Sequence, residues 1–108
     1  MREVTLRDEK SGHDSRHLWA YLDAEGNLHI EGQDLGPATA IVSNDGEYEW
    51  HEMISASDVP RLLAVLDADP AANALDVLER DWCGAKAGEL ESRIRTSGID
   101  MKMSVHGA

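Results

Sequence analysis

The chain is poor in the residues that mark several protein classes. Of its 108 residues, one is cysteine, Cys83, and none is phenylalanine. A single cysteine excludes an internal disulfide and a zinc site built on paired cysteines, so a half-buried structural thiol is expected. No apolar run approaches the ~20 residues that cross a bilayer, and the polar N-terminal segment lacks the apolar stretch of a signal peptide. We therefore expect a soluble, cytoplasmic protein with no membrane association.

Lysine and arginine are missing from the middle of the chain, between His17 and Pro60. This span carries nine carboxylates and thus most of the formal net charge of −11. The segment before it is neutral overall and the segment after it carries −2. A surface this acidic repels nucleic acid and anionic membranes and attracts basic partners.

Catalytic and cofactor-binding motifs are also missing. The sequence has no GxGxxG, P-loop, GxSxG or HExxH pattern, and its many carboxylates do not single out one acid–base pair. We therefore predict a protein that is not an enzyme and that uses no cofactor or metal ion. The alternative is a small metal-binding protein or metal-dependent enzyme, in which His29, His51, Glu31 and Glu49 hold a zinc ion.

The residues that are present suffice for one core. Hydrophobic residues make up 42% of the chain, and this length suits a single domain, residues 1–108. Alternating apolar residues predict strands at residues 3–7, 17–23, 27–32, 47–54 and 99–106. Apolar residues at three- and four-residue spacing predict helices at residues 59–66, 71–82 and 85–97.

Turn and loop signals separate these elements. Gly26 and Asn27 predict a hairpin turn, and Ser57 or Asp58 is expected to cap the first helix. The polar segment 10–16 is predicted as a loop. Within residues 33–46 the sequence predicts a break at residues 36–37, a short strand or ordered loop at 39–42 and a turn at 44–46. The whole predicts an α+β fold: a mainly antiparallel β-sheet, formed by an N-terminal meander and a returning C-terminal strand, with about three helices packed on one face.

The stretch GEYEWHE, residues 46–52, shows how the acidic residues are arranged. As a strand it places Glu47, Glu49 and His51 on an outer face, with Tyr48 and Trp50 on the inner face. Further carboxylates are predicted on the outside of the meander at Glu31 and in its turns at Asp34 and Asp45. The aromatic pair Trp19 and Tyr21 shares one face of its strand, either as core or as partner anchors.

Three short segments carry a resemblance to known proteins. GQDLG (32–36), EYEW (47–50) and DVPRLLAVL (58–66) resemble segments of small actinobacterial proteins of unassigned chemistry, which implies a single-domain bacterial protein and supplies no catalytic residue. In size, acidity and α+β pattern the chain is also similar to immunity proteins of bacterial toxin systems. Those proteins bind a cognate toxin, often a basic nuclease, and block its active site.

The charge pattern and the resemblance together predict a non-enzymatic acidic binding protein, an immunity or inhibitor protein that neutralises a basic partner such as a toxin or nuclease. The predicted partner-binding residues are Glu31, Asp34, Asp45, Glu47, Glu49, His51, Trp19 and Tyr21. An acidic surface that only promotes solubility is the simplest alternative. A self-associating adaptor domain, a homodimer paired through an edge strand at residues 99–105, is another.

Overall fold

The computed structural model describes residues 2–11, 14–35 and 47–107. Within these ranges a five-stranded antiparallel sheet packs against three α-helices, which confirms the predicted α+β class. The strands are β1 (Glu3–Ser11), β2 (Asp14–Leu22), β3 (Leu28–Leu35), β4 (Glu47–Ile54) and β5 (Met101–Gly107). The helices are α1 (Val59–Val65), α2 (Ala74–Asp81) and α3 (Ala87–Thr96), and short 3-10 helices span Ala56–Asp58 and Gly84–Lys86. None of the described helices is long and apolar enough to cross a membrane.

The strands lie side by side in their order along the chain, and each neighbouring pair is antiparallel. The C-terminal strand returns to the sheet, as predicted, and it lies beside β4. Of the described strands, β1 and β5 form the two edges.

The core lies between the helices and one face of the sheet. Alternate strand residues point toward the helices because successive side chains of a strand lie on opposite faces. The buried sheet residues are Val4, Leu6, Leu18, Ala20, Leu28, Ile30 and Ile54, and they pack against Leu62, Leu63, Leu75, Leu78, Leu90 and Ile94 of the helices. Among the described residues no helix packs on the other face of the sheet, which we call the open face.

The hairpin between β2 and β3 is held by the Asp23 carboxylate. It accepts hydrogen bonds from the backbone N–H groups of Glu25 (2.9 Å) and Asn27 (3.0 Å). Gly26 has a φ of 84°, a left-handed conformation that glycine adopts without steric cost. The predicted turn is confirmed, and its carboxylate is engaged inside the turn.

Several predicted boundaries are wrong. Residues 10–16 are largely strand, because β1 runs to Ser11 and β2 begins at Asp14. Likewise β3 continues to Leu35. These polar ends extend the ladder beyond the core, where pairing needs no apolar alternation. The predicted features at 36–46 lie outside the described residues.

The second helix begins later than predicted, at Ala74 in place of residue 71. Asn73 caps it, because the side-chain oxygen accepts hydrogen bonds from the N–H groups of Leu75 (2.9 Å) and Asp76 (3.2 Å). Asp58, in contrast, precedes α1 without a side-chain capping bond.

Candidate functional site

The open face gathers polar and aromatic side chains from the middle strands. Trp19 and Tyr21 of β2, Glu31 of β3, and Glu49 and His51 of β4 are each half-buried there. The register places Trp19 opposite Glu31 and Glu31 opposite His51, so one row crosses three strands. Five of the eight predicted partner-binding residues therefore come together on one surface.

Glu31 is the centre of this row. One carboxylate oxygen accepts a hydrogen bond from the Trp19 indole N–H at 2.9 Å, and the other accepts from the Tyr21 hydroxyl at 3.1 Å. Burial, and secondarily the bond to Glu31, raises the pKa of the Tyr21 phenol above its ordinary value. The hydrogen bonds hold both aromatic side chains in place without a lysine or arginine.

Two histidines continue the network toward the hairpin. The His29 ring stacks on the Tyr21 ring at a centroid distance of 4.7 Å and on the His51 ring at 5.0 Å. His29 Nδ1 lies 2.7 Å from His51 Nε2, and His29 Nε2 lies 2.8 Å from the Asp23 carboxylate. The pKa of Asp23 lies well below its usual range, mainly because of this bond to His29. The hydrogen bonds that Asp23 accepts from Asn27 and Glu25 in the turn lower the pKa further.

The donor and acceptor roles in this chain depend on the tautomers. With both rings neutral, Asp23 accepts from His29 Nε2–H, and His29 Nδ1 then accepts from His51 Nε2–H. The two facing imidazole nitrogens are thus joined by one hydrogen bond. Across the described part of the chain, no group of three or more His, Cys, Asp or Glu side chains is arranged to hold a metal ion.

A groove of about 270 Å³ opens beside this network. Its lining combines carboxylates, the Trp19 indole ring, neutral polar groups and backbone: Trp19, Glu31, Gly32, Gln33, Glu49, Trp50, His51 and Ser104. Gln33 donates a hydrogen bond to the Glu49 carboxylate at 3.1 Å, which fixes one wall. The groove is large enough for one long side chain of a partner.

The other three predicted site residues are Asp34, Glu47 and Asp45. Asp34 lies in β3, where a turn was predicted, and it faces the helix layer, since it lines a cavity together with Glu91 and Arg95 of α3. Glu47 begins β4 with its backbone opposite Leu35. Asp45 lies outside the described residues.

A second group of charged residues lies on the helix-covered side. Glu52 is only 5% exposed, and Glu91 and Arg95 of α3 lie over it beside Asp34. Burial, and then the charge of Glu91, raises the pKa of Glu52 to about 7. Burial also raises the pKa values of Glu91 and Asp34.

Sequence analysis missed this group, although one signal was present. In the alternation of β4, Glu52 shares the inner face with Trp50 and Ile54, and a carboxylate at an inner position is unusual. The contribution of Glu91 and Arg95 depends on how α3 lies across the sheet, which periodicity does not give.

Comparison with protein-family models, with curated proteins and with solved structures gives no match to this chain. Functional inference therefore depends on the chain's own residues.

Proposed function

We propose that this chain is an acidic binding protein that docks a basic protein partner on its open face, acting as an inhibitor or immunity protein. The observation that carries the proposal is the convergence of Trp19, Tyr21, Glu31, Glu49 and His51 on the face of the sheet that has no helix layer. Aromatic residues with a fixed orientation beside charged groups are typical of interface hot spots.

The charge of Glu31 supports a cationic partner. Its two hydrogen-bond donors, the Trp19 indole and the Tyr21 hydroxyl, are neutral and leave the carboxylate negative. The nearest imidazole nitrogen, on His51, is 4.0 Å away. A half-buried carboxylate attracts a cation more strongly than an exposed one, because the local dielectric constant is lower.

The groove supports a long basic side chain as the anchor. An arginine or lysine of the partner would lay its stem along the Trp19 ring and bring its charge to Glu31 and Glu49. Stacking of a cation on an indole and pairing with a carboxylate favour each other in such a site. The hydrogen bonds already hold the aromatic groups, so little side-chain entropy is lost on binding.

A nuclease toxin is the partner class that fits this chemistry best. Nucleases hold phosphates with clustered basic residues, and a carboxylate surface competes for the same residues. Opposite charges also accelerate association, which suits an inhibitor that must capture a toxin quickly. This agrees with the resemblance to immunity proteins in size and acidity.

The test begins by capturing partners from an actinobacterial lysate on the immobilised chain at low ionic strength and eluting them with high salt. A captured basic protein is then identified by mass spectrometry, purified and titrated against the chain. Glu47→Lys with Glu49→Lys should weaken its binding at least tenfold and flatten the salt dependence. If the partner is a nuclease, an equimolar amount of the chain should inhibit it.

Glu79→Lys with Glu89→Lys is the matched control, because it changes the net charge equally on exposed helix positions. We expect this variant to bind nearly as well as the wild type. Equal binding by the wild type and the Glu47→Lys, Glu49→Lys variant would refute the proposal. Light scattering of the chain alone tests the alternative of a homodimer paired at β5.

A further inference from the structure

We propose that the cavity on the helix-covered side binds a small organic cation, an amine or guanidinium group on a short apolar body. The cavity measures about 240 Å³ and lies between α3 and strands β3 to β5. Its lining consists of Asp34, Trp50, Glu52, Glu91, Arg95, Met101 and Met103. It is separate from the open-face groove, with which it shares Trp50 alone among the described residues.

The Glu52 carboxyl group points to a missing donor. The residue is 95% buried, and its side chain shares a hydrogen bond with the Glu91 carboxyl group. Its Oε2 atom has no partner among the described residues and is closed to solvent, so a ligand reaches this atom only when a neighbouring side chain moves aside. Buried polar atoms in native proteins are nearly always paired, because an unpaired one has lost its water without compensation. A ligand that donates a hydrogen bond would supply the partner.

The charges around Glu52 favour a cation. The cavity has three carboxyl groups, on Asp34, Glu52 and Glu91, and one guanidinium group, on Arg95. An ammonium or guanidinium group carries donors only, so it satisfies carboxyl oxygens without bringing a second acceptor. An anion would meet three carboxyl groups and be repelled.

The uncharged walls of the cavity favour a ligand whose remaining part is apolar and small. The Trp50 ring offers a face for a cation or an alkyl chain, and the thioethers of Met101 and Met103 adapt to irregular shapes. Met103 is 54% exposed, so the cavity is open at this side. Its volume corresponds to about eight water molecules, which matches a ligand of about that many non-hydrogen atoms.

Binding should depend on pH, because the cation needs an ionised Glu52. The charged groups that face this carboxyl are Glu91 and Arg95 of α3, Asp34 of β3 and, farther away, Arg7 of β1. Burial raises the pKa of Glu52 to about 7, so the carboxyl group is mostly protonated below that pH. Affinity should therefore rise about tenfold between about pH 6 and about pH 8, as the ionised fraction grows.

The experiment uses n-butylammonium and n-butylguanidinium as probes, with butan-1-ol and butyrate as neutral and anionic controls. The readouts are the NMR shift of the Trp50 indole N–H, assigned with a Trp50→Phe variant, and calorimetric titration. We expect saturable binding of a cationic probe, with affinity on the order of millimolar for so small a ligand. Glu52→Gln should lose the pH dependence and most of the affinity.

Two further variants keep the test decisive. Glu91→Gln should weaken cation binding if Glu52→Gln proves insoluble, and Glu31→Gln on the open face should leave it unchanged. Butan-1-ol binding as tightly as the cations would overturn the proposal in favour of an apolar cavity. Preferential binding of butyrate, or the absence of any saturable shift at tens of millimolar probe, would also overturn it.

Discussion

The indole ring of Trp50 lies against the backbone of Gly32, its neighbour across the β3–β4 ladder. A Cβ atom built on Gly32 would lie 2.1 Å from Cζ2 of that ring, far closer than two carbons can approach. Trp50 also lines both the open-face groove and the cavity beside Glu52. The absence of a side chain at residue 32 therefore positions the ring that forms one wall of the cavity beside Glu52.

Gly32→Ala is the first prediction. The new methyl group must displace the Trp50 ring or the β3 backbone, and overpacking of this kind costs about 1–3 kcal/mol. Urea unfolding should show this loss in the free energy of unfolding, and the Trp50 indole N–H resonance should move. Gly88→Ala is the control, because a Cβ there meets nothing within 4 Å. That substitution in the first turn of α3 should leave the free energy of unfolding unchanged or slightly raised, and equal effects of the two would contradict the packing argument.

Sequence patterns located the strand and helix segments that bury one face. They missed the polar strand ends that bury neither face. β4 was predicted with its observed limits because Trp50 and Ile54 alternate with Glu49 and His51. The end of β1 and the start of β2 resemble a loop in sequence, because Lys10 and Ser15, which pair in the ladder, are polar and lie beyond the core. Periodicity reports burial, so a strand segment that is solvated on both faces leaves no signal.

The open face was predictable in part. Alternation separates Trp19 and Tyr21 from Leu18 and Ala20, but whether the aromatic face is core or surface depends on which side the helices cover. The pairing of Trp19 with Glu31 depends on the register between β2 and β3, which the turn sets. Proximity of this kind is a tertiary property and is not present in the sequence of either strand.

Asn73→Ala is the second prediction, and it tests where α2 begins. The Asn73 side chain satisfies two backbone N–H groups of the first turn, so its loss should lower the free energy of unfolding by about 1 kcal/mol. Asp58→Ala at the start of α1 is the control and should cost less, because Asp58 makes no capping bond. Chemical denaturation of both variants checks this, and a larger loss for Asp58→Ala would contradict the assigned caps.

Glu31→Gln is the third prediction and concerns the Tyr21 phenol. Burial raises the pKa of Tyr21, and the neighbouring carboxylate adds to this shift because it disfavours a second negative charge. The variant removes that charge, so the Tyr21 pKa should fall toward 10 without reaching it. Absorbance titration at alkaline pH measures the change, with Tyr21→Phe to assign the signal. Glu49→Gln, whose carboxylate pairs with Gln33, should leave the Tyr21 titration as it is.

The fourth prediction concerns Glu52 and the pH dependence of stability. Burial, with the charge of Glu91, raises the pKa of Glu52 from 4.5 to about 7 on folding, so the folded chain holds the proton more tightly. This tighter proton binding contributes to the free energy of unfolding on the order of 3 kcal/mol. The contribution is complete below about pH 4.5 and is lost as the pH rises through about 7. Urea unfolding of Glu52→Gln should therefore show a shallower decline over this range and higher stability than the wild type at pH 8. A residual slope from Glu91 and Asp34 is expected, because burial raises their pKa values as well. A wild type whose stability rises from pH 5 to pH 8 more steeply than that of Glu52→Gln would show that Glu52 is ionised in the folded protein.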